Sequence, residues 1–266
     1  MEPKKIHYID DDLDEAERIK DLLEASGQLE VDVHPPEYNI GKNVDTADLP
    51  DLFLIDYELD KKYDDNGLPP ASYTGTTLTA AIRSVANNYP VILFTRQSIV
   101  DQATRQERLG EFELIDEILF KDSLSDPDRL DETVDTISGL VDGYAVLRHT
   151  SEEQPNWDGM LEVLGAHRDE IDSLSLANPP FFLRAQEPVW SPGRLADWIR
   201  GTLLAYPGIL YDDVYAATEL RISAKSFLSD EIQAVFNDAK YVGVFSPPEG
   251  RLVETEVSGN CNRMGW

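Results

Sequence analysis

Three consecutive aspartates, Asp10, Asp11 and Asp12, close the apolar stretch KKIHYI near the start of the chain. Three later apolar runs also end in groups able to do chemistry: DLFLIDY carries Asp56, PVILFT ends in Thr95, and EILFK ends in Lys121. Gathered in one place, these carboxylates, a hydroxyl and an ammonium suit phosphoryl transfer to a carboxylate. Asp56 offers an oxygen nucleophile that would form an aspartyl-phosphate. A hard divalent cation such as Mg²⁺ takes oxygen ligands and would bridge the acid cluster to the incoming phosphoryl oxygens. Thr95 can donate a hydrogen bond to one of those oxygens, and Lys121 brings a compact positive charge to another. A cation would also turn the mutual repulsion of crowded acids into a binding site. The bland alternative is a solvated helix N-terminus, where acids complement the helix dipole without any ligand.

Whether these groups meet depends on the elements that carry them. KKIHYID reads as a strand, and Asp14–Ala25 places Ala16, Ile19, Leu22 and Leu23 on one helical face. Ser26-Gly27 stops that helix, and LEVDVHP alternates as a second strand. DLFLIDY is a third, buried-type strand. Thr76–Asn88 reads as a helix, PVILFT as a strand, Ser98–Leu109 as a helix and Glu117–Phe120 as a fifth strand. The pattern predicts a last helix over Pro127–Arg148, with Asp126 as N-cap and Pro127 at its first position. Strands alternating with helices predict a parallel sheet covered on both faces. In such α/β sheets ligand groups collect beyond the carboxyl ends of the strands, where Asp10, Asp11, Asp56, Thr95 and Lys121 all fall.

IHYIDDD, LFLIDYEL, GTTL, VILFT and ILFKD, in that order, resemble the five signature segments of response-regulator receiver domains. The resemblance covers about residues 4–148 and implies a five-stranded, doubly wound, flavodoxin-like α/β fold. It implies Asp56 as phosphoacceptor, Thr95 and Lys121 as supporting groups, and Asp10, Asp11 and Asp56 as ligands of Mg²⁺. The backbone carbonyl of Glu58 would complete the metal's protein ligands, and a histidine kinase or another phosphodonor is the implied partner. Some positions depart from the family pattern. The segment between Asp56 and Gly75 is about ten residues longer than usual and would rim the site. Arg96 stands where a small residue is usual, Ile118 where an aromatic switch residue is usual, and Asp122 where a proline is usual. These departures keep open a second reading, a phosphorylation-independent pseudo-receiver that serves as a scaffold or interaction domain.

The 266 residues carry a net charge of −28, with 33 acids against 14 bases in residues 1–150 and 18 against 9 thereafter. Neither half has the Lys/Arg footprint that phosphate backbones require, which disfavours nucleic acid as a partner. No apolar run is long enough to span a bilayer, and no signal-peptide pattern opens the chain. With a single cysteine, Cys261, the expectation is a cytoplasmic, reducing setting. The four histidines show no ligand spacing with Cys261 or with each other, so no transition-metal site is expected. The ending SGNCNRMGW is abrupt enough to suggest a piece of something longer.

Residues 149–158, polar and proline-containing, are expected to link the receiver-like domain (1–148) to a smaller, mainly α domain (159–266). Helices are expected over Trp157–Asp172, Arg194–Ala205, Tyr211–Leu220 and Ser229–Ala239, and a β-hairpin over YVGVF-SPPEG-RLVETEV. Helix–turn–helix followed by a hairpin is the winged-helix order. Yet SDEIQAVFNDA carries Asp230, Glu231 and Asp238 and no base, so DNA binding is disfavoured and a protein output partner expected. Residues 150–266 show no nucleophile–base or metal-ligand set, and no enzymatic activity is expected of the chain beyond phosphoacceptance.

Overall fold

LFLI is wholly apolar and VILFT is apolar up to its final threonine, and every residue of both runs is buried. Such runs form central strands covered on both faces. The computed structural model describes residues 2–36, 49–60, 73–106, 109–153, 159, 163, 191–199, 217–218 and 220–235. Its strands are β1 (Lys4–Ile9), β2 (Leu29–His34), β3 (Leu52–Ile55), β4 (Val91–Thr95) and β5 (Glu117–Phe120). They form one sheet in the order β2-β1-β3-β4-β5, with every pairing parallel. The register sets Ile6 beside Val31 and Leu52, Phe53 beside Val91, and Leu93 beside Ile118. Strand order reverses between β1 and β3, so the ends of those two strands flank the crevice where such sheets bind ligands.

Helices α1 (Leu13–Glu24), α2 (Gly75–Val85), α3 (Gln97–Arg105) and α4 (Pro127–Glu153) connect or follow these strands. Ile6, Tyr8, Leu54, Ile92 and Phe94 pack on one sheet face with Ile19 and Leu23 of α1 and Val134, Ile137 and Val141 of α4. On the other face Ile9, Phe53 and Ile55 pack with Leu78 and Ile82 of α2. The five strands and the helices that connect them agree with the sequence reading, with ends shifted by a few residues. The helix expected to Leu109 stops at Arg105, and Leu109–Phe112 forms a 3₁₀ turn instead.

The last helix of the sheet begins as expected. Asp126 accepts the Asp128 N–H through its side chain (3.1 Å) and the Leu130 N–H through its carbonyl (2.9 Å). It does not stop at Arg148 but runs to Glu153, five residues into the segment read as a linker. Buried residues recur at helical spacing to the end of this run, through Tyr144, Leu147 and Thr150, and that burial carries the helix on.

A further helix, α5 (Pro192–Trp198), packs against α4. It starts earlier than the expected Arg194, because Ser191 caps it by accepting the Arg194 N–H (3.4 Å) and Pro192 takes the first position. Gly193 lies against the Asn87 carbonyl so closely that a Cβ there would collide with it. The expected turn after Leu220 contains a short helix, α6 (Ala224–Phe227), followed by α7 (Asp230–Val235). The expected hairpin over 241–257 and most of the helix over 157–172 lie outside the described residues.

Buried charge at the amino ends of β4 and β5 ties these layers together. The Arg83 guanidinium donates to the carbonyls of Leu114 (3.0 Å) and Tyr89 (2.9 Å) and pairs with Asp116. Asp116 also accepts the Val91 N–H (2.7 Å) and the Tyr144 hydroxyl (2.7 Å). One carboxylate thereby joins α2, β4, β5 and α4, and with its partners all supplied the buried pair is tolerated.

Candidate functional site

At the opposite, carboxyl edge of the sheet lies a pocket of about 310 Å³ lined by Asp10, Asp11, Asp56, Glu58, Thr95 and Lys121. All six residues singled out from sequence are therefore brought together. Asp12, Glu15, Arg96 and Ile99 complete the lining. Asp10 and Asp56 follow directly on β1 and β3, Thr95 ends β4, and Lys121 follows β5. Asp10, Asp56 and Thr95 are nearly sealed from water, at 0%, 6% and 1% exposure.

The three aspartates of the opening run have different tasks. Asp12 caps α1 by accepting the Glu15 N–H (3.1 Å), which accounts for it without a ligand. Asp10 accepts the Asp12 N–H through Oδ1 (2.9 Å) and, through Oδ2, the Tyr8 hydroxyl and the Lys121 ammonium (2.7 Å). Oxygens of Asp10, Asp11 and Asp56 lie within 4.8 Å of one another, the one such grouping of three or more potential metal ligands among the described residues. The donors are all hard carboxylate oxygens, which fits Mg²⁺ and does not favour a soft transition metal.

Lys121 stands at the centre of the charge balance. Its Nζ lies 2.7 Å from Asp10, 3.2 Å from Asp56 and 3.7 Å from Glu15. Burial alone would lower the lysine's pKa, but Asp56 and Asp10 outweigh it and hold the ammonium more firmly protonated than usual. Burial pushes the Asp56 carboxyl up to about 7, with Lys121 opposing the rise and Asp10 and Asp11 adding to it. Burial, reinforced by Asp10, keeps the Tyr8 phenol protonated well above its ordinary range, so it is a hydrogen-bond donor.

Two contributions escaped the sequence reading. Gly75 opens α2 hard against the acceptor: a Cβ there would collide with the Asp56 carbonyl oxygen, and its N–H donates to the Tyr57 carbonyl (2.9 Å). Glu15 reaches over the pocket mouth to Arg96 (3.0 Å) and towards Lys121. The spacing Asp12-x-x-Glu15 matches a capping box, in which Glu15 would turn back to the Asp12 N–H. Asp10 already accepts that N–H, and Glu15 bonds across the mouth instead. Of the family departures, Asp122 accepts the Gln97 N–H (3.1 Å) at the start of α3, and Ile118 is half-buried on β5. Most of the long segment before Gly75, residues 61–72, lies outside the described residues.

No protein-family model matches the sequence, and no curated protein matches it. Solved structures similar to the chain include a response regulator of Thermotoga maritima in complex with Mg(2+)-BeF, at 22% identity and TM-score 0.36, covering 50% of this chain and 98% of that one. A response regulator receiver domain protein from Clostridium thermocellum is similar at 20% identity and TM-score 0.35, covering 50% and 95%. The adenylate cyclase from Rhodopirellula baltica is similar at 16% identity and TM-score 0.41, covering 57% and 96%. With the all-parallel β2-β1-β3-β4-β5 order, the helices on both sheet faces and the acids at the switch point, the first half of the chain has the flavodoxin-like receiver fold.

Proposed function

We propose that the chain is a receiver-type signalling protein that accepts a phosphoryl group on Asp56 from a phosphohistidine-type donor and passes the signal on through protein contacts. The observation that carries this reading is the buried Lys121 ammonium held by both Asp10 and Asp56, beside three carboxylates that converge at the sheet's switch point. An Asp56 oxygen would bond to phosphorus as the bond from phosphorus to the donor nitrogen breaks, the nitrogen keeping the electron pair. Asp10, Asp11 and Asp56 would hold Mg²⁺, with the Glu58 carbonyl completing the set. When bound, the ion supplies charge neutralisation between these acids and the phosphoryl oxygens. Lys121 would stabilise one phosphoryl oxygen, and the Thr95 hydroxyl would donate to another. The acid-rich second half, with Asp230 and Glu231 at the start of α7, suits a protein partner rather than a phosphate backbone.

The test is titration of Mg²⁺ and then beryllofluoride, an acyl-phosphate mimic, into the full chain and Asp56→Asn, read by calorimetry or amide chemical shifts. Magnesium-dependent binding in the wild type and its loss in Asp56→Asn is the expected outcome. No binding by a folded wild type overturns the reading. It would favour the phosphorylation-independent scaffold, for which the Glu15–Arg96 pair across the mouth is the supporting observation.

A further inference from the structure

Arg96 and Glu15 stand between two cavities. One is the acid pocket; the other, of about 360 Å³, lies between α1 and the turn after β5, with Ile19, Leu22 and Leu124 in its lining. Glu15, Arg96 and Lys121 are common to both, so the Glu15–Arg96 pair is a bar across the boundary. Glu15 faces two cations at once, at 3.0 Å from Arg96 and 3.7 Å from Lys121. An oxyanion arriving on Asp56 would enter the field of the same two cations.

Lys121 is shared among Asp10, Asp56 and Glu15 and offers such an anion one cation. Arg96 is differently placed. It precedes the first turn of α3, directly after Thr95, and its side chain is 57% exposed. Its guanidinium pairs with Glu15, and Asp122 and Asp56 add to the field that keeps it charged. An exposed carboxylate–guanidinium pair is weak and exchanges readily. A phosphoryl group carries more charge than Glu15 and presents oxygens that suit the guanidinium fork.

Resting on the phosphoacceptor reading, we propose that Arg96 is a second phosphoryl-binding cation, kept paired with Glu15 at the pocket's edge until an oxyanion on Asp56 displaces that carboxylate. Glu15 acts as an internal competitor for the anion: it occupies Arg96 in the unmodified chain and is released when the phosphoryl group takes its place. The departure from a small residue at position 96 thereby gains a task, and the capping-box glutamate that does not cap gains one too.

The experiment is beryllofluoride titration at saturating Mg²⁺ into the full-length wild type, Glu15→Gln, Arg96→Gln, the double variant and Asp56→Asn. Thermal melts report folding, and the Arg96 side-chain ¹⁵N resonance reports its partner. Loss of a charge-assisted contact in Arg96→Gln is expected to weaken binding by about tenfold. Glu15→Gln is expected to tighten it by about threefold, and that gain is expected to vanish when Arg96 is also replaced. The wild-type Arg96 resonance is expected to shift on binding. Unchanged or tighter binding by Arg96→Gln, or equal gains from Glu15→Gln with and without Arg96, overturns the inference and leaves the phosphoacceptor reading standing. Absence of magnesium-dependent binding in the wild type and all variants overturns both.

Discussion

Asp56 has almost no water around it and a lysine ammonium 3.2 Å away. Burial is the larger influence, and the carboxyl keeps its proton up to about pH 7 against an ordinary value of 3.8. Between those two values the unfolded chain has released a proton that the folded chain still holds. The contribution of this group to metal-free stability is therefore greatest below the lower value, falls as pH rises, and levels off above the upper one. Denaturant unfolding without Mg²⁺ is expected to show this decline, and Asp56→Asn to remove it. Because Mg²⁺ binds the carboxylate and not the acid, its affinity is expected to be about tenfold higher at about pH 8 than at about pH 6. A pH-independent affinity in calorimetry would mean that no carboxyl titrating near pH 7 takes part in binding the metal. The strand-end residues themselves were legible in the sequence, because an apolar run ending in a polar group marks both the strand and the edge. Glu15 was not: its local spacing points to a cap, and only the bond from Asp12 to Asp10 reveals that the cap is already occupied elsewhere.

At the scale of elements, the start of α2 sets how closely the chain can return to the acceptor. Gly75 leaves no room for a methyl group against the Asp56 carbonyl. Gly75→Ala is expected to destabilise the fold by about 2 kcal/mol, as forced overpacking does. It is also expected to weaken Mg²⁺ binding, because the carbonyl it displaces belongs to a site residue. Unfolding curves and metal titration check the two effects separately, and a neutral Gly75→Ala would show that the backbone yields there at little cost. The alternation of elements was readable because each strand is bounded by turn residues and each helix has one apolar face. The extension of α4 to Glu153 was not, since His149 to Glu153 is polar by composition and the burial of Thr150 depends on tertiary packing. The Ser191-Pro192 start of α5 was readable in principle as a cap and a first position. It was missed because the helix was read as beginning at Arg194, past the Ser-Pro pair. The Arg83–Asp116–Tyr144 cluster leaves no local signature, because its members are brought together from three separate elements.

Across the whole molecule, the acid pocket and the α5 contact lie at opposite ends of the sheet. Asn87, at the corner leading into β4, holds Gly193 against its carbonyl and lies 3.4 Å from the Ser191 hydroxyl. Gly193→Val is expected to dislodge α5 from this corner and speed amide exchange over residues 191–199, while Mg²⁺ binding at the far edge is kept. Hydrogen exchange with and without Mg²⁺ checks this; unaltered exchange over 191–199 would show that the close approach is not what seats the helix. Between the two ends runs α4. It starts at the carboxyl edge of the sheet, shortly after Lys121, meets Asp116 through Tyr144, and continues past Arg148, whose guanidinium lies over the Tyr89 ring and donates to the Asn88 carbonyl. An unbroken helix of 27 residues is a rod of roughly 40 Å. Pivoted near its first turn, such a rod is a lever arm: a tilt of about 5° carries its far end through roughly 3.5 Å, about the width of one atom-to-atom contact.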